Sequence, residues 1–120
     1  RELWVNVDRT LVEQAFFNLI ANAADAIIDK GKITVRTNVI ELIDKRRKEV
    51  IVVVEDDGPG IPEEVRTRIF EPFFTTKEQG KGTGLGLSIV YTILERHGGK
   101  ISFESEIGKG TKFFVGLPLV

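Results

Sequence analysis

Apolar residues recur at three and four along the first part of the chain: Leu11, Val12, Ala15, Leu19, Ala23 and Ile27. That spacing predicts a long helix from Arg9 to Ile28. Asp8 stands at the N-cap position, and Gly31 stands where a C-terminal cap would stop the helix. Leu3 to Val7, before it, reads as a short strand. After the helix the period changes to two. Ile33, Val35 and Val39 fall on one side and Thr34 and Arg36 on the other, which predicts a half-buried strand from Lys32 to Ile40. Val50 to Val54 is an unbroken β-branched run, the pattern of a central strand covered on both faces. The charged stretch Asp44 to Glu49 is expected to join these strands as a hairpin.

Pro62 sits where a first helical turn tolerates proline, so Glu63 to Arg68 reads as a short helix. Phe74 to Lys81 has no apolar period and reads as a mobile loop. Leu85 to His97 predicts a second long helix, closed by Gly98-Gly99. Lys100 to Ile107 and Thr111 to Leu117 both alternate, and Gly108-Lys109-Gly110 between them predicts a hairpin. Helices and strands mixed in this way predict a two-layer α/β sandwich.

Composition narrows the class. A chain of 120 residues suits one domain over residues 1–120, and 42% hydrophobic residues with 8 Phe can furnish a core. With 17 basic and 18 acidic residues the net charge is -1, which argues against a nucleic-acid footprint. The local cluster Lys45-Arg46-Arg47-Lys48 reads as a solvated loop. Without cysteine there is no disulfide framework, thiolate metal site or cysteine nucleophile. No apolar run approaches the ~18 residues of a membrane span. The chain begins at Arg1 and holds no Met, so a fragment or processed product is expected.

Four short motifs then appear in order: Asn18-Leu19-Ile20-Ala21-Asn22-Ala23, Asp56-Asp57-Gly58-Pro59-Gly60-Ile61, Phe70-Glu71-Pro72-Phe73-Phe74 and Gly82-Thr83-Gly84-Leu85-Gly86-Leu87. Asn18 and Asn22 lie four apart and share a helix face. An amide oxygen from Asn22 can complete the shell of a Mg2+ ion that takes its other oxygens from water and phosphates. An asparagine pair on a solvated surface is the plainer alternative, and Asp25, a turn on, either assists or is simply exposed. Asp56 directly follows the predicted central strand. A carboxylate there can accept from the exocyclic amine of adenine, while Gly58 and Gly60 let the backbone approach the base. An ordinary Asp-Gly turn is the alternative.

Gly80, Gly82, Gly84 and Gly86 alternate before a helix, and backbone N–H groups in such a turn suit phosphate oxygens. The stretch is neither a Walker A loop nor a dinucleotide fingerprint, since Leu87 stands where the third glycine would be. A glycine-rich hinge remains open as the alternative. Lys77 and Lys81 flank the loop, either reaching phosphates or standing in solvent. The only histidine, His97, sits at a helix end, where a capping role fits better than a catalytic one.

With these motifs in series, the chain resembles the catalytic and ATP-binding domain of bacterial sensor histidine kinases, in the superfamily (GHKL, or Bergerat fold) that also holds DNA gyrase B, MutL and the large heat-shock chaperones. Asn18 to Ala26 resembles the N box, Asp56 to Ile61 the first G box, Phe70 to Phe74 the F box, and Gly82 to Leu87 the second G box. Gly108 to Phe113 resembles the family's C-terminal hairpin. Asn22-Ala23-Ala24-Asp25-Ala26 and Glu71-Pro72-Phe73-Phe74-Thr75-Thr76-Lys77 are most similar to the nitrogen-regulation type. The fold so implied has a mixed, mostly antiparallel sheet with helices on one face.

The resemblance implies roles. Asn22 is the Mg2+ ligand, with Asn18 assisting near the phosphates of ATP. Asp56 binds the adenine amine, Gly60 the ring through water, and Thr111 joins that water network. Gly58, Ile61 and Phe70 belong to the nucleotide site. Gly82, Thr83, Gly84, Leu85, Gly86 and Leu87, with the loop before them, form a lid rooted on Phe70 and Phe73. Many relatives of the extracellular-receptor type carry Lys or Arg where Asp25 stands, and that cation touches phosphate; here the contact must come from elsewhere, with Lys77 and Lys81 the candidates. ATP-hydrolysing relatives carry a Glu at position 18 as general base. Asn18 cannot take a proton, which favours phosphoryl transfer to another domain.

The phosphoacceptor histidine of the family lies in a separate dimerisation domain, which is therefore the expected partner. The resemblance further implies a homodimeric parent, a monomeric isolated domain, an indirect link to a response regulator, no nucleic-acid partner and a cytoplasmic location. Two rivals stand beside it. An anti-sigma-type serine kinase generally lacks the Phe70 to Phe74 element and has Glu at position 18. A nucleotide-sensing module without catalysis would use the same binding residues.

Overall fold

The computed structural model describes residues 3–27, 29–42, 47–74 and 86–120. Helix α1 runs Arg9–Ala26 and buries Val12, Ala15, Leu19 and Ala23. The Asp8 carboxylate accepts the Leu11 N–H at 3.1 Å, as its N-cap position predicts. The helix stops short of the expected Ile28. Ile27 turns to extended backbone (φ -91, ψ 119), and its N–H donates to the Ala24 carbonyl at 3.2 Å. Gly31 therefore does not cap the helix. A Cβ on Gly31 would come within 2.6 Å of the Asp57 carboxylate, so the glycine serves the approach of a different loop.

Strands β1 (Ile33–Leu42) and β2 (Arg47–Asp56) pair antiparallel, from Ile33 opposite Asp56 to Leu42 opposite Arg47. A 3-10 helix spans Glu63–Arg68, with Pro62 just before it rather than in its first turn. Helix α2 covers Gly86–Arg96, and strands β3 (Lys100–Glu106) and β4 (Gly110–Pro118) close the chain as a hairpin. Sheet order is β1-β2-β4-β3. Each of these pairings is antiparallel, so among the described strands the sheet is not mixed. Leu3 to Val7 forms no strand, only a bridge from Val5 to Leu119.

Both helices lie on one face of the sheet. Leu19 of α1 and Val90, Ile93 and Leu94 of α2 pack with Val50 and Val54 of β2 and Phe113, Val115 and Leu117 of β4. Leu19, Val54, Val90, Leu94 and Val115 are essentially inaccessible. Each such side chain contributes about 1.5–3 kcal/mol relative to exposure. The expectation that Val50 to Val54 is covered on both faces is corrected here. No described helix lies on the outer face, where Val53 is flanked in the ladder by Arg36 and Phe114. Val53 is nonetheless 8% exposed without a helix above it, and β-branching marks a pleated surface, not a count of helix-covered faces. No helix among the described residues is long and apolar enough to cross a membrane.

Candidate nucleotide site

The site begins where β2 ends. Asp56, its last residue, is 5% exposed. The carboxylate accepts the Gly58 N–H at 2.9 Å and the Thr111 N–H from the facing strand. Burial pushes the Asp56 carboxyl above its usual value. Those two N–H bonds oppose the rise, and the nearby charges of Asp57 and Glu55 add to it. What results is a buried acceptor, held by two donors, with lone pairs left for a third.

The loop after Asp56 is clamped on both sides. Asp57 accepts the Lys32 N–H at 2.8 Å and donates its own N–H to the Lys32 carbonyl at 3.3 Å. Gly58 rests against the end of α1, where a Cβ would stand 3.0 Å from the Ala26 carbonyl. Gly60 has φ +84, and a Cβ there would stand 2.6 Å from the Glu106 carbonyl. The Gly108 N–H donates to the Pro59 carbonyl at 2.9 Å. Ile61 donates its N–H to Ser105 Oγ at 2.7 Å. Glycine is required at 60 by close approach and by backbone conformation, and at 58 a side chain would press on the end of α1.

Asn18, Asn22 and Ala26 are successive four-residue steps on α1, so they share a face. That face meets Gly58 at the Ala26 end. At the other end Asn18 Nδ2 reaches the Gly86 carbonyl, at a long 3.5 Å, where α2 starts. Asn22 stands between them, partly buried. The three elements thus form a trough with Asp56 at one end and the start of α2 at the other. Thr111 lies opposite Asp56 in the β2–β4 ladder, at the same end. Asp56, Ser105, Gly110 and Thr111 also line an open groove of about 370 Å3 at the β2–β4–β3 end, whose lining includes no residue of either helix.

Phe70 is partly buried against the core, with ring centroids 5.7 Å from Tyr91, 6.0 Å from Phe103 and 6.4 Å from Phe113. Phe73 is 74% exposed and holds φ 67, a strained value for an aromatic residue, and the lid it is expected to root lies outside the described residues. Its neighbour Phe74 packs against the core instead, with the Arg68 guanidinium 4.7 Å above its ring. Gly86 opens α2, and Leu87 packs on the core. Asp25 is exposed. Lys77, Lys81, Gly82, Thr83, Gly84 and Leu85, and the expected loop from Phe74 to Lys81 beyond Phe74 itself, lie outside the described residues.

His97 lies at the far end of α2 from this trough. Its Nε2 accepts the Asp8 N–H at 2.9 Å, so Nδ1 carries the proton and donates to the Ile93 carbonyl at 2.7 Å. The capping role read from the sequence holds, as a neutral ring joining the end of α2 to the start of α1. Two contributors went unseen in the sequence. Asp57 looked like half of an Asp-Asp pair, and Ser105 looked like any polar position of an alternating strand.

Residues 7–120 match the family model described as histidine kinase-, DNA gyrase B-, and HSP90-like ATPase. The chain belongs to this ATPase family. Within it, the similarity is to sensor histidine kinases. Sensor kinase CckA of Brucella abortus is 49% identical over 128 residues, covering 98% of this chain and 14% of that protein. The catalytic domain of histidine kinase ThkA shares 43% identity at a TM-score of 0.78, covering 95% of this chain and 70% of that one. Full-length ShkA, solved in complex with AMPPNP, superposes at a TM-score of 0.80 with 29% identity, covering 99% of this chain and 24% of that one. This ATPase domain is therefore the histidine-kinase type, and it spans a small part of the relative's length.

Proposed function

We propose that this domain binds ATP with Mg2+ and donates the γ-phosphoryl group to a histidine on a separate dimerisation domain of its parent sensor kinase. The observation that carries the reading is the trough: a buried Asp56 acceptor at one end, and Asn18 and Asn22 on one helix face leading toward the N-terminus of α2. Asp56 fits an adenine amine, because its remaining lone pairs accept and its two backbone donors hold it still. Asn22 fits a Mg2+ ion shared with phosphates, since it offers a neutral oxygen and leaves the negative charge to the nucleotide. When bound, that ion would neutralise charge on the phosphates. The complex of ShkA with AMPPNP supports ATP as the nucleotide.

The chain's own residues bind and position, and among the described residues no general base stands in line with Asn18 and Asn22 on their helix face. Asn18 offers an amide where a hydrolytic enzyme needs a base. Phosphoryl transfer relies on alignment and charge stabilisation, so a site without a base serves an incoming imidazole better than water. His97 is engaged at both ring nitrogens on the far side of α2, which leaves the acceptor to another domain. The finer reading, a kinase of the nitrogen-regulation type, rests on the runs Asn22 to Ala26 and Glu71 to Lys77, and the indirect link to a response regulator rests on the resemblance to sensor kinases.

The test is transfer in trans. Labelled ATP is incubated with the chain alone and with a separately expressed dimerisation domain from its parent. Acid-labile label should appear on the added domain and not on the chain. Transfer should be weak, because the tether's effective concentration, around millimolar, is lost. ATP binding without label on any added domain would favour a nucleotide-sensing module instead.

A further inference from the structure

One oxygen serves three contacts at the base of the site. Ser105 Oγ accepts the Ile61 N–H at 2.7 Å, lies 3.2 Å from the Gly110 carbonyl and lies 2.9 Å from Thr111 Oγ1. A serine hydroxyl has a single proton. If Ser105 donates to the Gly110 carbonyl, Thr111 must donate to Ser105 and shows only lone pairs beyond it. If Ser105 donates to Thr111, the threonine proton is freed to point elsewhere. Ser105 thus sets the polarity that Thr111 presents next to the Asp56 carboxylate, its neighbour across the ladder. The same oxygen ties the main chain at Ile61, one residue after the positive-φ Gly60, to strand β3.

We propose that Ser105 is a positioning residue for base selection: it fixes the Ile61 main chain and orients the Thr111 hydroxyl beside Asp56, so that the pocket favours a purine bearing an exocyclic amine. The inference rests on the reading of Asp56 as the base acceptor. Its chemical content is a choice between purine nucleoside phosphates. Hypoxanthine carries a carbonyl oxygen where adenine carries the amine, and that oxygen would face the Asp56 carboxylate. A hydroxyl that only tied the hairpin to the loop would support both bases equally.

The experiment is calorimetric titration of ADP and inosine diphosphate into the wild type, Ser105→Ala, Ser105→Thr and Asp56→Asn, with thermal melts of each free protein. Ser105→Ala should weaken ADP binding about three- to tenfold, the size of one hydrogen bond, and inosine diphosphate binding by less. The ratio of the two affinities should therefore fall. Ser105→Thr keeps a hydroxyl and should recover the wild-type ratio. An unchanged ratio in Ser105→Ala, or no recovery in Ser105→Thr, makes Ser105 a structural tie and overturns the inference. If Asp56→Asn retains full ADP affinity, the base-pocket reading fails and takes this inference with it. If Asp56→Asn loses ADP while Ser105→Ala keeps the wild-type ratio, only the role of Ser105 falls. Should Ser105→Ala not fold, Ser105→Cys carries the same comparison, because a thiol is a weaker donor and acceptor.

Discussion

Asp56 and Thr111 face each other across the β2–β4 ladder, and the Thr111 amide donates to the Asp56 carboxylate. The strand that supplies the floor of the site thereby also holds its acceptor in place. Burying the carboxylate comes at the expense of the free fold, and the hydrogen bonds offset only part of that cost. Burial raises the Asp56 pKa, so the folded carboxyl takes up a proton more readily than the unfolded one. The contribution to stability is fully present at acid pH and is lost as pH rises through the folded pKa. At neutral pH the charged Asp56 therefore works against the empty domain.

Asp56→Asn should separate binding from stability. Loss of a charge-assisted bond of about 1.5–3 kcal/mol predicts a ten- to hundredfold weaker affinity for ADP. The nucleotide-free variant should melt at or above the wild-type Tm at pH 7, and the gap should close as pH falls toward about 4. Calorimetry with ADP and melts across that range check both halves. A variant that melts lower at neutral pH would contradict the stability half.

Metal dependence should run through Asn22. Asn22→Ala is expected to leave metal-free nucleotide binding nearly intact and to remove the gain in affinity that Mg2+ brings. The side chain is partly buried on the helix face between Gly58 and Gly86, so its loss leaves the core untouched. Titrations of ATP with Mg2+ and with chelator decide it. An equal Mg2+ effect in both proteins would make Asn22 a surface residue.

The sequence carried the core of this fold because its helices are amphipathic and its strands alternate. Its limits lie where contacts are long-range. Glu49 reads as the end of a charged linker, yet it belongs to β2 and is 3% exposed, with Lys100 Nζ 3.5 Å from Oε1. Only the pairing of β2 with β4, and of β4 with β3, brings those two together. Asp56 was legible because a carboxylate between a β-branched run and a Gly-Pro-Gly turn is a local pattern. Ser105 was not, since its role depends on Ile61, 44 residues away. Phe73 and Phe74 are chemically equal in sequence, and the positive φ at Phe73 decides which ring faces inward.

Gly110 should tolerate no side chain. It holds φ +123, and a Cβ would stand 2.0 Å from the Asp56 carbonyl oxygen. Gly110→Ala combines a strained conformation with a backbone clash, and is expected to cost about 3 kcal/mol or more. The neighbouring Gly108 also has positive φ (+83) but nothing within 4 Å of a Cβ, so Gly108→Ala should cost about 1 kcal/mol, the strain alone. Urea unfolding of the two variants side by side checks the difference. Equal losses would mean that the close approach at Gly110 relaxes at no cost.

His97 should matter to the fold and not to the chemistry. Its ring joins the Ile93 carbonyl at the end of α2 to the Asp8 N–H at the start of α1, residues 89 apart in the second case. His97→Ala removes both bonds and should destabilise the domain by about 1–2 kcal/mol, since solvent reaches the site and re-satisfies part of the loss. ADP affinity should be unchanged, because Asp56 and Asn22 lie at the other end of the helices. His97→Gln, whose single amide carries donor and acceptor at one end of a flexible chain and so cannot span both partners as the ring does, should fall between the wild type and His97→Ala. In the labelled-ATP assay with a dimerisation domain in trans, both variants should transfer to that domain as the wild type does. Label on the wild-type chain itself that vanishes with His97→Gln would instead make His97 the phosphoacceptor and overturn the assignment of a separate acceptor domain.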